Sequence, residues 1–316
     1  MTTETLWFED FESGLGDWNV QGGVWAIGVP TFGPSAHSGQ NVAGTVLDND
    51  YPSLAEARLI SPSFVVPEAN AEPRLKYAYW CDTEHPVDFG EVLIQVGGVW
   101  QAVGERVSGG LPHWNQRIVG LAAYAGQSVR IGFHLSSDGS IGAAGWYLDD
   151  IALEVGPMRF EPQMDFESDL LDWSVENGAW EFGEPNFGPT AYAGSKVAAT
   201  RLDGDYPSDA DARLVSPSFT VPPAAQNPQL RYAYWYDTQS VDYSVLQIRA
   251  GGPNSNAPWQ DIDGTRLFGS GAAWAQQFVD LAPYADQTVQ FAFHLVSDAS
   301  IGAAGVYIDN VALETD

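Results

Sequence analysis

Cysteine is almost missing from this chain. A single one among 316 residues, Cys81, leaves no disulfide possible within it. Lysine is nearly as scarce, at two (Lys76 and Lys196), and Lys plus Arg number 13 against 41 Asp plus Glu. A formal charge of −28 repels phosphate backbones and anionic lipid, which sets nucleic acid aside as a partner. No run approaches the about 18 uninterrupted apolar residues of a membrane-spanning helix, so no membrane insertion is expected. The opening Met1-Thr2-Thr3-Glu4-Thr5 has neither the basic nor the apolar part of an export leader. Export would then require a longer parent protein or another route.

Catalytic signatures are missing too. There is no nucleophile elbow, no His-Glu-x-x-His and no phosphate-cradling glycine loop. A pair of carboxylates suffices for a glycosidase, but the same acids recur in both halves of the chain, which suggests a shared structural role. The expectation is that the chain is not an enzyme. No stretch of ten residues carries a 3.6-residue apolar period; the best candidate, Gly120–Ala125, supports a single turn.

What is present is a duplication. Asp10-Phe11-Glu12-Ser13 returns as Asp165-Phe166-Glu167-Ser168, Asp50-Tyr51-Pro52-Ser53 as Asp205-Tyr206-Pro207-Ser208, and Tyr77-Ala78-Tyr79-Trp80 as Tyr232-Ala233-Tyr234-Trp235. Ser140-Ile141-Gly142-Ala143-Ala144-Gly145 returns as Ser300-Ile301-Gly302-Ala303-Ala304-Gly305. The offset is 155 early and 160 late, the size of a domain and well beyond a solenoid repeat. The reading is two domains, 1–156 and 157–316, joined by a short segment that Pro157 and Pro162 stiffen.

Within each copy a period of two dominates. Val92, Ile94 and Val96 alternate with Glu91, Leu93 and Gln95, and Phe133 and Phe293 lie in runs with large apolar residues on one face. Leu75-Tyr77-Tyr79-Cys81 reads as another such face, as does Tyr147-Asp149-Ile151-Leu153 with its copy Tyr307-Asp309-Val311-Leu313. Turn signals such as Phe32-Gly33-Pro34 and Asp203-Gly204-Asp205 separate the runs. The fold class expected is all-β: two tandem antiparallel β-sandwich (jelly-roll) domains from an internal duplication.

The ordered set Asp-Phe-Glu-Ser followed by Trp18 or Trp173, Leu47-Asp48-x-Asp50-Tyr51-Pro52, Leu59-x-Ser61-Pro62, Tyr79-Trp80-x-Asp82-Thr83 and Tyr147-Leu148-Asp149-Asp150 resembles bacterial MAM-like jelly-roll domains. Such domains occur as cleaved-adhesin or choice-of-anchor modules in immune-inhibitor-A-type metallopeptidases and surface proteins. The resemblance covers nearly all of both copies. Animal MAM domains carry disulfides, which this chain lacks. The resemblance implies a non-catalytic adhesion or interaction module, often with bound calcium, that is secreted or on a bacterial surface and meets a protein or glycan ligand.

Calcium takes 6–8 oxygen ligands from carboxylates and carbonyls. Asp10 and Glu12 open the first copy and Asp149 sits on its last strand, close to the first in a jelly roll. Asp48 and Asp50 occupy a turn-rich loop that would add to the cage. The second copy keeps all five as Asp165, Glu167, Asp203, Asp205 and Asp309. Glu12 with Asp149 and Glu167 with Asp309 are the central pairs; the alternative is that these acids are turn formers and solvated strand ends. Two other functions stay open. Of the 12 tryptophans, Trp100/Trp259 and Trp114/Trp274 come from loop-rich regions and suit carbohydrate recognition, whereas Trp18/Trp173 and Trp25/Trp180 suit cores. Unpaired sheet edges on duplicated domains suit self-association into a filament or array. His134 and His294 have no second His or Cys at ligand spacing and read as cross-strand histidines.

Overall fold

The computed structural model describes residues 3–84, 87–104, 106–110, 114–156, 163–168, 170–253, 255–271 and 273–315. The chain divides into two compact units, Met1–Pro157 and Met158–Asp316. The joint that the prolines were expected to stiffen lies largely outside the described residues.

The first unit contains β1 (Glu4–Glu9), β2 (Asn19–Gln21), β3 (Trp25–Gly28), β4 (Val42–Thr45), β5 (Glu56–Ile60) and β6 (Phe64–Val65). It continues with β7 (Arg74–Asp82), β8 (Phe89–Val96), β9 (Val99–Ala102), β10 (Asn115–Gly120), β11 (Ser128–Ser136) and β12 (Gly145–Val155). One antiparallel sheet has the order β10-β7-β12-β4-β3, with β1 also on β12; the other has the order β2-β5-β11-β8-β9, with β6 on β11. The second unit repeats this strand for strand. Its elements are β13 (Gln163–Met164), β14 (Ser174–Glu176), β15 (Glu181–Gly183), β16 (Val197–Ala199), β17 (Asp211–Val215) and β18 (Phe219–Thr220). Then come β19 (Gln229–Asp237), β20 (Tyr243–Ala250), β21 (Gln260–Asp261), β22 (Ala275–Asp280), β23 (Thr288–Val296) and β24 (Gly305–Glu314). Each unit is thus an antiparallel β-sandwich of the jelly-roll kind, and the two are copies of one another. Among the described residues, no helix is long and apolar enough to cross a membrane. The turns expected at Ala122–Tyr124 and Ala282–Tyr284 are single 3-10 turns.

Alternation explains the core. Val129, Ile131, Phe133 and Leu135 of β11 face Leu75, Tyr77, Tyr79 and Cys81 of β7, all buried. Tyr77 meets Phe133 edge-on with ring centroids 5.1 Å apart, and Tyr232 meets Phe293 likewise at 5.0 Å. Each such side chain contributes about 1.5–3 kcal/mol by leaving water. Trp18, Trp25, Trp173 and Trp180 are also core residues. Cys81 packs among them, and burial pushes its thiol up to about 12.

The last strand departs from simple alternation. Tyr147, Asp149, Ile151 and Leu153 do not share a face: Trp146, Leu148, Ile151 and Leu153 point into the core, while Tyr147 packs on the outer side with Val42 and Ala144. A β-bulge between Asp149 and Ala152 inserts one extra residue and inverts the parity. Asp150 occupies the left-handed region at φ 49°, as does Asn310 at φ 48° in the second copy. Asp and Asn adopt that conformation more readily than other residues with a Cβ. The consequence is local and chemical, because Asp149 is freed from the core-facing series and placed beside the β3–β4 loop.

Candidate functional site

The site grows from the pairing of the first and last strands. β1 runs antiparallel along β12, with Glu9 opposite Ile151, so the turn after β1 lies beside Asp149. Asp10 begins that turn by accepting the N–H of Glu12 at 3.1 Å, and Phe11 adopts φ 56°. Glu12 then reaches across to the loop between β3 and β4. Its Oε1 accepts the N–H groups of Gln40 (2.7 Å) and Asn41 (2.6 Å). Asp149 grips the same loop three residues earlier: its Oδ2 accepts the N–H groups of His37 and Ser38, each at 3.1 Å, and its Oδ1 accepts that of Asp150 at 2.8 Å. Asp150 takes the side chains of that turn, with His37 Nδ1 at 2.6 Å and Ser38 Oγ at 2.7 Å.

The second copy builds the same clamp. Glu167 Oε1 accepts the N–H groups of Ser195 and Lys196, both at 2.8 Å, and Asp309 Oδ2 accepts that of Ala193 at 3.0 Å. Asp165 accepts the N–H of Glu167 at 3.1 Å. One glycine per copy makes room. Gly39 (φ 58°) and Gly194 (φ 64°) lie so close to the carboxylates of Glu12 and Glu167 that a Cβ would collide with them.

The two acids of each clamp differ electrostatically. Asp149 and Asp309 are fully buried, and desolvation pushes both carboxyls up to about 6 despite the amide donors. The neighbouring charges of Asp150 and Glu167 add to the respective rises. Glu12 and Glu167 are held below the usual range by amide donors, Asn41 and Gln40 in one case and Lys196 and Ser195 in the other. At Asp150 burial works upward, but the bonds from His37 and Ser38 outweigh it and the carboxyl falls.

This donor set fits a hard cation. The amides fill Oδ2 of Asp149 and Oε1 of Glu12, leaving acceptor capacity on Asp149 Oδ1 and, among the described residues, on Glu12 Oε2. A buried carboxylate raised to about 6 is one whose charge lacks compensation, which a divalent ion supplies. Glu12 and Asp149 in the first copy, and separately Glu167 and Asp309 in the second, would hold such an ion, and loop carbonyls would complete it. Of the other six candidates, Asp10 and Asp165 cap the turns that carry Glu12 and Glu167, and four belong to the loops after β4 and β16. Asp48 and Asp50 are exposed; burial raises the phenol of Tyr147 and their charge adds to the rise, while its hydroxyl donates to the Phe32 and Val46 carbonyls. Asp203 accepts from Arg201 Nε at 2.8 Å, and burial raises the phenol of Tyr307, with the charges of Glu181, Asp205 and Asp203 adding to the rise.

A second acidic group escaped the sequence reading. Carboxylate oxygens of Glu84, Asp88 and Asp138 lie within 4.8 Å of one another. Buried Asp88 accepts the Tyr51 hydroxyl at 2.6 Å and the Asp138 N–H at 2.7 Å, and Ser140 Oγ bonds Glu84 and Asp138. The second copy keeps Tyr206–Asp242 at 2.6 Å and the Asp298 N–H on Asp242 at 2.9 Å, but has Gln239 for Glu84. Residues from three separate segments meet here, and no spacing along the chain announces that. The histidines are cross-strand partners as expected: His134 Nε2 lies 2.8 Å from Glu56, and His294 Nε2 lies 2.6 Å from Asp211.

The outer face of the second sheet differs between the copies. At Gly132 of β11 an added Cβ would lie 2.8 Å from the ring of Trp100, so the indole rests directly over the strand. The guanidinium of Arg58 stands 5.9 Å from its centroid. The second copy has Ala292 at that position, and Trp259 instead pairs with Arg249 at 4.2 Å.

No family model matches the chain. It is similar to Bacillopeptidase F of Bacillus subtilis (strain 168), 35% identical over 150 residues, which are 46% of this chain and 10% of that protein. It is also similar to the pre-pro-metalloprotease PrtV of Vibrio cholerae, 26% identical over 101 residues, covering 30% of this chain and 11% of that one. The chain thus spans about a tenth of the length of these curated relatives. Among solved structures, the K2 cleaved adhesin domain of Lys-gingipain covers 48% of this chain and 98% of its own, at 21% identity and a TM-score of 0.36. The CBM22-1-CBM22-2 tandem of Paenibacillus barcinonensis Xyn10C covers 99% of this chain and 98% of its own, at 14% identity and a TM-score of 0.33.

Proposed function

We propose that each domain is a non-catalytic adhesion or interaction module of a secreted or surface protein, with calcium steadying its β3–β4 loop. One observation carries the reading. The buried acid and its partner in both copies, Asp149 with Glu12 and Asp309 with Glu167, hold main-chain N–H groups of a loop. Carboxylates engaged that way are anchors, whereas a general acid or base needs its oxygens facing a substrate. Match to a tenth of a peptidase's length supports an accessory domain within a longer protein. The test is the whole chain probed against arrays of extracellular proteins and glycans, with hydrolysis of each followed in parallel. Saturable binding without turnover supports the module; hydrolysis abolished by Asp149→Asn contradicts it.

Carbohydrate recognition is a second reading, favoured by Trp100. An aromatic ring laid across a strand at a residue without a side chain, with a guanidinium beside it, suits stacking against a sugar ring. Glycan binding lost in both Trp100→Ala and Gly132→Val would support it, and an array at background with the wild-type chain would end it. Light scattering in the same buffers tests self-association.

A further inference from the structure

Cross-strand pairing fixes which residues share the outer face of the second sheet in the first domain. Arg58 of β5 lies opposite His134 of β11; Gly132 follows two residues along β11, and Arg130 two further on, opposite Gln95 of β8. Gln95 pairs in turn with Trp100 of β9, whose indole reaches back over Gly132. At about 3.4 Å per residue, Arg58 and Arg130 stand in rows about 13 Å apart, one on each side of the indole. The carboxylates on this face are engaged elsewhere. Glu56 lies 2.8 Å from His134 Nε2 and accepts the Ser136 hydroxyl at 2.7 Å, and Glu91 accepts from Arg106 at 3.0 Å. The Ser136 bond comes first among the groups that lower the Glu56 carboxyl, and the charge of Arg58 last. Arg58 Nε is buried without a hydrogen-bond partner and Arg130 is exposed. Among the described residues, no carboxylate forms an ion pair with either.

The second copy neutralises the same face. Arg213 donates from Nε to Gln247 at 2.9 Å and lies 3.2 Å from Asp211, while Arg249 donates to Gln290 and lies 3.7 Å from Glu176. Gln290 stands in place of Arg130, and Ala292 in place of Gly132.

We propose that the outer face of the first domain binds an acidic glycan, with a sugar ring on Trp100 and its anionic substituent, a carboxylate or a sulfate, on Arg58 or Arg130. This rests on the carbohydrate reading above and adds the charge of the ligand to it. A guanidinium presents a planar fork of donors to such an anion. The chain's −28 repels a continuous polyanion, so the ligand that fits carries its acidic sugars among neutral ones.

The experiment titrates the whole chain by calorimetry with matched pairs of sugars. These are an oligogalacturonide with one free carboxylate against its full methyl ester, sialyllactose against lactose, and sulfated lactose against lactose. The wild-type chain is expected to bind an acidic member about tenfold or more tightly than its neutral partner, and the pair that responds separates carboxylate from sulfate. Arg58→Gln combined with Arg130→Gln should bring the acidic member down to the neutral level. Arg213→Gln combined with Arg249→Gln should leave the preference unchanged, and Trp100→Ala should lose both members, with circular dichroism verifying that each variant is folded. Equal binding of acidic and neutral members, or a preference that survives the Arg58 and Arg130 changes, would overturn the charge assignment while leaving carbohydrate recognition in place. No binding of any sugar would instead overturn the carbohydrate reading itself.

Discussion

Gly39 lies beneath the carboxylate of Glu12, which fills the space that a side chain at residue 39 would need. The contact welds the β3–β4 loop to the turn after β1 and has its counterpart in Gly194 and Glu167. Gly39→Ala must therefore expel Glu12 from the Gln40 and Asn41 amides and also strain a left-handed residue. An αL position costs about 1–2 kcal/mol without glycine, and the loss of the Glu12 bonds adds to it. The first domain is expected to lose at least about 1–2 kcal/mol in urea unfolding, with the second domain's transition unmoved. A loss below about 0.5 kcal/mol would show that the clamp adds nothing.

The Tyr51 hydroxyl that donates to buried Asp88 makes a second test. Tyr51→Phe removes one donor and leaves a buried carboxylate oxygen short of a partner, which costs about 1–3 kcal/mol. Tyr206→Phe, facing Asp242, should cost the same in the second domain. A neutral result in both would mean water replaces the hydroxyl freely.

Asp149 and Asp309 set a pH dependence with a definite sign. Their folded values are raised to about 6, against about 3.9 in an unfolded chain. Between those values the native chain holds protons that the unfolded chain releases, so these groups make stability fall as pH rises. In chelator, Asp149→Asn should therefore gain on the wild-type chain from pH 4 to pH 7. A difference that does not change over that range would contradict the buried-carboxylate assignment.

Calcium should reverse that trend. An ion that holds Asp149 in its charged form competes with the proton, so calcium affinity should weaken from pH 7 to pH 5. Equal affinity at both values would place the ion away from Asp149.

Much of this was legible in the residues themselves. The duplication, the strand alternation of Val129–Leu135 and the core tryptophans follow from period and composition, because they are local patterns. The adjacency of first and last strands was anticipated, as β1 pairs β12, and Glu12 and Asp149 hold amides of the same loop. The bulge was not foreseen, since alternation has no means of announcing a left-handed residue, although the Asp149-Asp150 and Asp309-Asn310 doublets were a signal. Gly39 escaped because its requirement comes from a side chain 27 positions away. The Glu84–Asp88–Asp138 group escaped for the same reason: it is assembled by folding from separate loops.

The most direct measurement is thermal unfolding of the whole chain in excess calcium and after exhaustive chelation. A ligand at about 100 times its dissociation constant adds about 2.7 kcal/mol, or roughly 5–10 °C for a domain of this size. The account predicts a rise of that order, lost in Asp149→Asn. Melting that is identical with and without calcium would contradict it and leave the clamps as purely hydrogen-bonded devices.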